Sequence, residues 1–239
     1  MPQCRLIVLA IGLLLIAGAA PAFAGQKLYT YSVLHPIYGE IGTLTDSVDR
    51  SPGGMRIQSR LRIEVTVLGI VMYRQQCDTT EVMQDNRLIS LQSQSDKDGQ
   101  KLETQGAAAG GQFVVKGTAG SFTGPTDILP SEPWILEHSG EGTVVYPSTG
   151  KISKVTVSGG GYETVSVNGA SLMARHFTVM GEARQDVWFD DQGIPVMFRS
   201  VEDGTPIDFV LQGSVLSAGV TQLASSERPA LPRNDKSNK

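Results

Sequence analysis

The chain has 239 residues, with 20 Lys and Arg against 24 Asp and Glu, a formal net charge of −4 and 40% hydrophobic residues. This length predicts one all-β domain or two small ones, large enough to bury a core without disulfide staples. The weak acidity and the absence of a Lys/Arg-rich run argue against nucleic acid as a partner.

The first residues have the pattern of a secretory signal peptide. Arg5 supplies a short positive region, residues 6–20 are apolar, and Ala22-Phe23-Ala24 matches a small-x-small cleavage site. The apolar run is shorter than the roughly 20 residues that span a bilayer, and no later segment is apolar enough to do so. We therefore expect cleavage after Ala24 and a periplasmic mature chain without a transmembrane segment.

Cysteine usage gives no sign of a disulfide framework. Of the two cysteines, Cys4 lies in the expected signal peptide, which leaves Cys77 without an intramolecular partner. The favoured interpretation of Cys77 is a buried small hydrophobic residue, and the alternative is a reactive thiol.

The rest of the chain alternates between turn motifs and β-rich runs. Asp, Asn and Gly clusters recur at short intervals, a pattern typical of an antiparallel meander. The predicted strands are 27–35, 40–50, 55–68, 71–84, 87–96, 101–106, 112–118, 143–147, 152–158, 162–168, 171–180, 183–190, 194–202 and 206–212.

The third predicted strand is unusually long and one-sided. In residues 55–67, MRIQSRLRIEVTV, every odd position except Ser59 is apolar and every even position is polar. A strand of residues 55–68 would extend about 45 Å and has to twist, so its sheet coils. We predict an all-β fold built on one strongly curved antiparallel meander sheet, a half-barrel or partly closed barrel with little helix.

Three later segments do not follow the strand pattern. Residues 106–124 are Gly-rich and poor in bulky side chains, which predicts bends, bulges or a mobile lid. Residues 130–138 form a loop or a single turn that crosses the sheet. The predicted domain covers residues 25–212, and residues 213–239 are expected to form a flexible tail.

No catalytic, metal or cofactor motif is evident. His35, His138 and His176 are isolated in sequence, and no spacing resembles a zinc or calcium site. The Asp190-Asp191-Gln192-Gly193 run is better explained as a hairpin turn than as a carboxylate pair. The chain lacks a nucleophile elbow, a phosphate loop and a dinucleotide fingerprint, so no cofactor is expected.

The apolar face of the long strand, with aromatic residues from other strands, is the candidate site. These residues either fill the core or line a cavity for a hydrophobic ligand. The hypothetical lining consists of Met55, Ile57, Leu61, Ile63, Val65, Val67, Trp134, Trp188 and Phe198.

Several motifs resemble an uncharacterised family of exported bacterial β-proteins, a domain of unknown function. They are Tyr31-Ser32-Val33, Gly39-Glu40-Ile41-Gly42, Ala174-Arg175-His176-Phe177, Asp186-Val187-Trp188-Phe189-Asp190, Gly193-Ile194-Pro195 and Pro206-Ile207-Asp208-Phe209. The family's shape is similar to the half-barrels of periplasmic lipoprotein carriers. The resemblance implies a curved sheet that cups an apolar ligand, and it carries no catalytic residues.

Three functions remain open at this point. The leading hypothesis is a non-enzymatic periplasmic protein that binds or carries a lipid or another hydrophobic molecule. The alternative is a structural or assembly factor of the cell envelope that contacts an envelope protein. A third is an exported hydrolase, which requires two or three of Cys77, His176, Asp186 and Asp190 to converge in a cleft.

Overall fold

The computed structural model describes residues 26–118, 120–135, 139–202 and 204–216, which form one sheet of fifteen strands. The first half contains β1 (Lys27–His35), β2 (Gly39–Ser51), β3 (Gly54–Val67), β4 (Ile70–Gln84), β5 (Arg87–Lys97), β6 (Gln100–Ala109), β7 (Gln112–Gly117) and β8 (Gly120–Gly124). The second half contains β9 (Leu129–Pro130), β10 (Gly140–Val145), β11 (Ile152–Val167), β12 (Ala170–Met180), β13 (Arg184–Phe189), β14 (Pro195–Glu202) and β15 (Thr205–Leu216).

The strand order follows a meander with one long-range closure. It runs β8-β7-β6-β5-β4-β3-β2-β1-β15-β14-β13-β12-β11-β10-β9, so the first and last strands pair in the middle and β8 and β9 are the two edges. All pairings are antiparallel except that of β9 with β10. The predicted curved antiparallel sheet with little helix is confirmed, and the sheet is not closed by hydrogen bonds.

Side chains pack across the open seam between the two halves. Phe113 and Val115 of β7 form one buried cluster with Ile128 and with Val145 of β10. A larger cluster brings Ile57 of β3 together with Phe177 of β12. The curvature that the long strands require therefore produces a barrel-like shape whose interior is filled from both halves.

The short, polar turn residues explain how neighbouring strands reverse direction. Asp85-Asn86 and Asn168-Gly169 have positive φ at both positions, as tight hairpin turns between twisted strands require. Asn, Asp and Gly adopt this left-handed conformation at low cost.

Several predicted boundaries differ from the structure. The predicted strands 152–158 and 162–168 are one strand, β11, which bulges between Gly159 and Gly161. The predicted strand 112–118 is present as β7, and the Gly-rich segment 106–124 also contains β8, which was not predicted. β15 continues to Leu216, past the predicted domain end at 212, because its terminal residues pair with β1.

Two other predicted segments are only partly described. Within the described residues 130–135, one 3₁₀ turn is present, Pro133–Ile135, in agreement with the predicted turn. The predicted signal peptide, residues 1–24, and residues 217–239 of the predicted tail lie outside the described residues. No helix within the described ranges is long and apolar enough to cross a membrane.

Candidate functional site

A pocket of about 500 Å³ opens where the two halves of the sheet meet. We call it the Trp134 pocket. Its apolar lining consists of Met55, Met83, Leu129, Trp134, Val144, Val155 and Val157. Its polar lining includes Arg50, Asn86, Asp127 and Glu141. The volume and the mixture of apolar walls with a few polar groups are those of a small-molecule site.

Backbone contacts fix the segment that carries Trp134. Leu129 and Pro130 pair with Val144 and Val145, and the Ser131 amide donates a hydrogen bond to the Val145 carbonyl at 3.1 Å. The chain then makes the 3₁₀ turn that holds Trp134. This anchoring places the indole ring between the two halves of the sheet.

Three contacts orient the indole ring of Trp134. Its Nε1 donates a hydrogen bond to Asp46 Oδ2 at 2.7 Å. The ring packs on Tyr29 with 4.7 Å between centroids, and the Arg50 guanidinium lies 6.0 Å from its centroid. Trp134 therefore contributes to the pocket wall with one side and contacts the buried carboxyl of Asp46 through its polar edge.

A row of buried polar side chains crosses the inner face of the sheet at the level of Asp46. We call this row the polar layer. Its members are cross-strand neighbours on β2 to β6, and they are Asp46, Ser59, Thr79, Ser93 and Thr104. Ser59 is thus one member of a layer and not an isolated polar residue in an apolar stripe.

The polar layer and its surroundings contain buried polar atoms without hydrogen-bond partners. Asp46 Oδ1, Ser59 Oγ and both carboxyl oxygens of Glu81 are buried and unpartnered among the described residues. Glu81 lies on β4, two residues from Thr79, and is fully buried. Buried polar atoms without partners lower the free energy of unfolding, so these groups destabilise the folded protein on the inner face near Trp134.

Burial raises the pKa of each of these acids. Burial raises the pKa of Asp46 to about 6. The Trp134 hydrogen bond and the nearby Ser59 hydroxyl act in the opposite direction and lower the pKa, but burial has the larger effect. Burial, with the carboxyls of Glu132 and Asp46, raises the pKa of Glu81 well above its usual range. Burial and the Asp46 carboxyl raise the pKa of Glu132 to about 8. The cluster favours protonated acids at mildly acidic pH.

The predicted lining residues divide into several groups. Met55 and Trp134 line the Trp134 pocket. Ile57, Leu61, Ile63 and Val65 pack into inner clusters of the barrel. Val67 is 37% exposed near the β3–β4 turn, away from the pocket.

Trp188 and Phe198 lie on opposite faces of the sheet. Phe198 is the cross-strand neighbour of Val187, and both belong to the inner core. Trp188 follows Val187, so its side chain points to the other face, where it packs with Val165 and Ala174. The two residues therefore do not line one space.

On its own face, Trp188 belongs to a polar cluster around His176. The two rings are stacked, with 4.6 Å between centroids. His176 Nε2 lies 3.0 Å from Asp186 Oδ1, and Nδ1 lies 3.5 Å from Glu163 Oε1. Thr178 also donates a hydrogen bond to Asp186 at 2.7 Å.

Asp186 is the charged centre of this second cluster. Burial raises the pKa of its carboxyl, but hydrogen bonds from Arg184, Thr178 and His176 outweigh burial and lower the pKa overall. The carboxyl is therefore a stable anion at neutral pH, held by its neighbours.

Of the four residues named for a hydrolase, His176 and Asp186 are in contact, whereas Asp190 and Cys77 have other partners. Asp190 accepts hydrogen bonds from the backbone of its own turn, at Gln192 and Ile194. Cys77 lies on β4 with its sulfur 3.6 Å from the hydroxyls of Thr79 and Ser93, and burial raises the pKa of its thiol. Within the described ranges, no group of three His, Cys, Asp or Glu side chains could hold a metal ion.

The buried polar residues that the sequence interpretation missed were visible as exceptions to alternation. Asp46 stands between Leu44 and Val48 at inward positions, as Ser59 does on the next strand. Glu81 occupies the inward position before Met83. Polar residues at inward positions were therefore a usable signal, whereas nothing in the sequence indicated that Arg50 reaches the pocket.

A structural comparison supports the barrel-like description. The fold is similar to the crystal structure of a beta-barrel-like protein of Domain of Unknown Function DUF1849 from Brucella abortus, with a TM-score of 0.61 and 10% sequence identity. The match covers 81% of this chain and 98% of that one, and at this identity it shows the fold alone. Comparison with curated proteins finds no match.

The sequence comparison tests the predicted resemblance to an uncharacterised β-protein family. The family model described as Domain of unknown function (DUF6134) matches residues 39–212, which run from the start of β2 into β15. That range contains the Trp134 pocket, the polar layer and the His176 cluster. The predicted resemblance is confirmed, and the chain belongs to the DUF6134 family.

Proposed function

We propose that this protein is an exported, non-enzymatic binding protein that holds a hydrophobic molecule with a polar end in the Trp134 pocket. The observation that carries the proposal is the pocket itself, with about 500 Å³ of space and apolar walls from both halves of the sheet. Apolar walls remove a hydrocarbon group from water, which is the main source of affinity for such ligands.

Arg50 is the residue proposed to recognise the polar end. It is exposed at the pocket, and no ion pair of its guanidinium occurs among the described residues. A carboxylate or phosphate next to Arg50 would form a charge-assisted hydrogen bond. We infer that the ligand is an anionic amphiphile such as a fatty acid or an acidic lipid, with its acid group against Arg50 and apart from the Asp127 and Glu141 carboxylates that also line the pocket.

The proposal of a binder instead of a hydrolase rests on the separation of the reactive groups. Asp186 and His176 contact each other, but the hydroxyl next to them, that of Thr178, donates to Asp186. Cys77 has a raised pKa and lies in another part of the sheet, so these residues supply no activated nucleophile next to the histidine in the part of the chain that the structure describes.

Quenching of Trp134 fluorescence by a brominated 16-carbon fatty acid tests the binding site. The chain has two tryptophans, so Trp188→Phe leaves Trp134 as the reporter. We expect saturable quenching, and roughly tenfold weaker binding in Gly142→Leu, which fills the pocket. A Cβ at Gly142 meets only Val155 at 3.8 Å, so the variant is expected to fold.

Two matched controls show whether weaker binding comes from filling the pocket or removing the Arg50 charge, and not from a general effect of the substitution on the protein. Gly213→Leu makes the same change on β15 where a Cβ meets nothing within 4 Å, and it should bind like the parent chain. Arg50→Gln should weaken fatty-acid binding, whereas Arg56→Gln on the neighbouring strand should not. Absence of quenching in the parent, or equal affinity in Gly142→Leu, would contradict the proposal.

Export is tested separately from ligand binding. Mass spectrometry of protein from the periplasmic fraction of the producing cells should give a first residue of Gly25. Native mass spectrometry of the same sample should show a bound amphiphile that organic extraction removes. A chain retained in the cytoplasm with residues 1–24 attached would overturn the export part of the proposal.

A further inference from the structure

The end of the β3–β4 hairpin has an unusual surface. We call residues 67–72, Val-Leu-Gly-Ile-Val-Met, the hairpin tip. Leu68 is 98% exposed, and Ile70 and Met72 are each nearly two-thirds exposed. A run of consecutive exposed apolar residues lowers solubility and has no role in the core, so it indicates a contact surface.

The turn residue Leu68 contradicts the turn chemistry of the rest of the chain. Leu68 and Gly69 have φ of 51° and 79°, the left-handed pair of a tight hairpin turn. Every other described non-glycine residue with positive φ is Asp or Asn. Leucine gains nothing from this conformation, because its side chain is strained there and contacts only solvent. An exposed leucine at this position therefore points to a contact outside the chain.

The hairpin tip also projects beyond the sheet. The register of β3 with β2 ends at Ile63, and the register of β4 with β5 begins at Gln75. Arg74 still exchanges hydrogen bonds with Asp98 in the β5–β6 turn, and the residues beyond Ile63 and Arg74 pair with each other across the hairpin, which extends about 13 Å further. The Glu64–Arg74 ion pair, at 2.7 Å, lies at the base of this projection, and the hairpin tip carries no charge.

Both faces of the hairpin tip are apolar. Successive residues of a strand point to opposite faces, so the exposed side chains of Ile70, Val71 and Met72 cover both faces. A groove on a protein would contact one face and leave the other in water. A lipid bilayer surrounds an inserted element on all sides, so it accounts for both faces.

A second turn at the same end of the sheet has a similar character. The β1–β2 turn contains Ile37 and Tyr38, which are 79% and 52% exposed. The pairing of β2 with β3 places this turn and the hairpin tip at one end of neighbouring hairpins. Tyrosine is enriched at membrane–water interfaces because its ring is amphipathic.

We propose that the hairpin tip, with Ile37 and Tyr38, inserts into the interfacial region of a lipid bilayer and anchors the protein there peripherally. The outer edges of the hairpin retain backbone groups without sheet partners, so insertion stops at the headgroup and acyl boundary. Because the hairpin tip is uncharged, binding depends on apolar insertion and not on attraction to anionic lipid.

Flotation with vesicles tests the proposal. The protein is purified from the cells that produce it, and mass spectrometry identifies its N-terminal residue. We expect binding to phosphatidylcholine vesicles, unchanged by 0.5 M salt or by one quarter phosphatidylglycerol. Leu68→Asn combined with Ile70→Thr should weaken binding roughly tenfold or more. The same variant should keep or gain thermal stability, because Asn-Gly suits the turn.

A local probe separates the hairpin tip from any apolar N-terminal residues. Tryptophan in Leu68→Trp should be quenched by brominated phosphatidylcholine vesicles, whereas tryptophan in Met173→Trp, an exposed site on β12, should not. No quenching at position 68, or equal flotation of the double variant, would overturn the proposal. Self-association that disappears in the double variant, without vesicle binding, would identify a protein contact and also overturn it.

Discussion

Asp46→Asn is expected to stabilise the protein at neutral pH and to leave it unchanged in acid. Burial raises the pKa of Asp46 from 3.8 to about 6. In an acid with a raised native pKa, the unfolded state releases its proton first as the pH increases. The free energy of unfolding therefore falls between about pH 4 and pH 6, and the loss is complete above the native pKa.

The magnitude follows from the size of the pKa difference. About two units at 1.36 kcal/mol each give an upper value of about 3 kcal/mol at pH 7. Asparagine keeps an oxygen that accepts the 2.7 Å hydrogen bond from Trp134 but cannot ionise. The variant should therefore gain up to about 3 kcal/mol over the parent at pH 7 and almost nothing at pH 4.

Urea unfolding followed by far-ultraviolet circular dichroism at several values between pH 4 and pH 8 measures this difference. Asp191→Asn, which removes an exposed carboxyl, is the matched control and should give the pH profile of the parent. The reasoning is refuted if Asp46→Asn is less stable than the parent at pH 7. A difference that does not change with pH would also refute it, because the Asp46 carboxylate would then be compensated within the fold.

Three further predictions follow from close contacts and electrostatics. Gly42→Ala should lower the free energy of unfolding in urea by more than about 3 kcal/mol, because a Cβ there would lie 2.0 Å from the Arg62 carbonyl oxygen. Gly213→Ala, the control, should lower it little. Equal losses in the two variants would show that β2 and β3 separate freely. Asp186→Asn should lower the free energy of unfolding at pH 7, because a carboxyl with a lowered pKa contributes stability while it is ionised. The difference from the parent should shrink as the pH falls below about 4. A stability difference that persists in acid would mean that packing dominates. Cys77 should react with a disulfide reagent roughly a hundredfold more slowly in the native state than in urea, because burial raises the pKa of its thiol. A fast reaction in the native state would show that the thiol is not protected by burial.

Local patterns were sufficient to predict the sheet, because alternation and turn chemistry are encoded residue by residue. The long strand of residues 55–67 does place Ile57, Ile63 and Val65 inward, as a period of two requires. The same alternation also identifies Asp46 and Glu81 as inward residues. Alternation alone does not show that these two carboxyls lie together in a buried cluster, because they stand on different strands.

The candidate pocket could not be predicted, because it depends on contacts between distant segments. Met83 and Trp134 meet in one pocket only after the sheet curls, and curvature depends on stagger and on the seam. Trp188 illustrates the same limit. In Val187-Trp188-Phe189 all three residues are apolar, so alternation does not identify an outer face, and that face is covered by Val165 on another hairpin.

The two proposed surfaces lie at opposite ends of β3. Met55 lines the Trp134 pocket near the start of this strand, and the hairpin tip begins at Val67, about 40 Å away at 3.3 Å per residue. A protein anchored by its hairpin tip would hold the pocket well outside the bilayer, so a ligand would have to cross water to reach it. Vesicle binding and ligand binding should therefore be independent. Leu68→Asn should leave the affinity of the fatty acid unchanged, and Gly142→Leu should leave flotation unchanged.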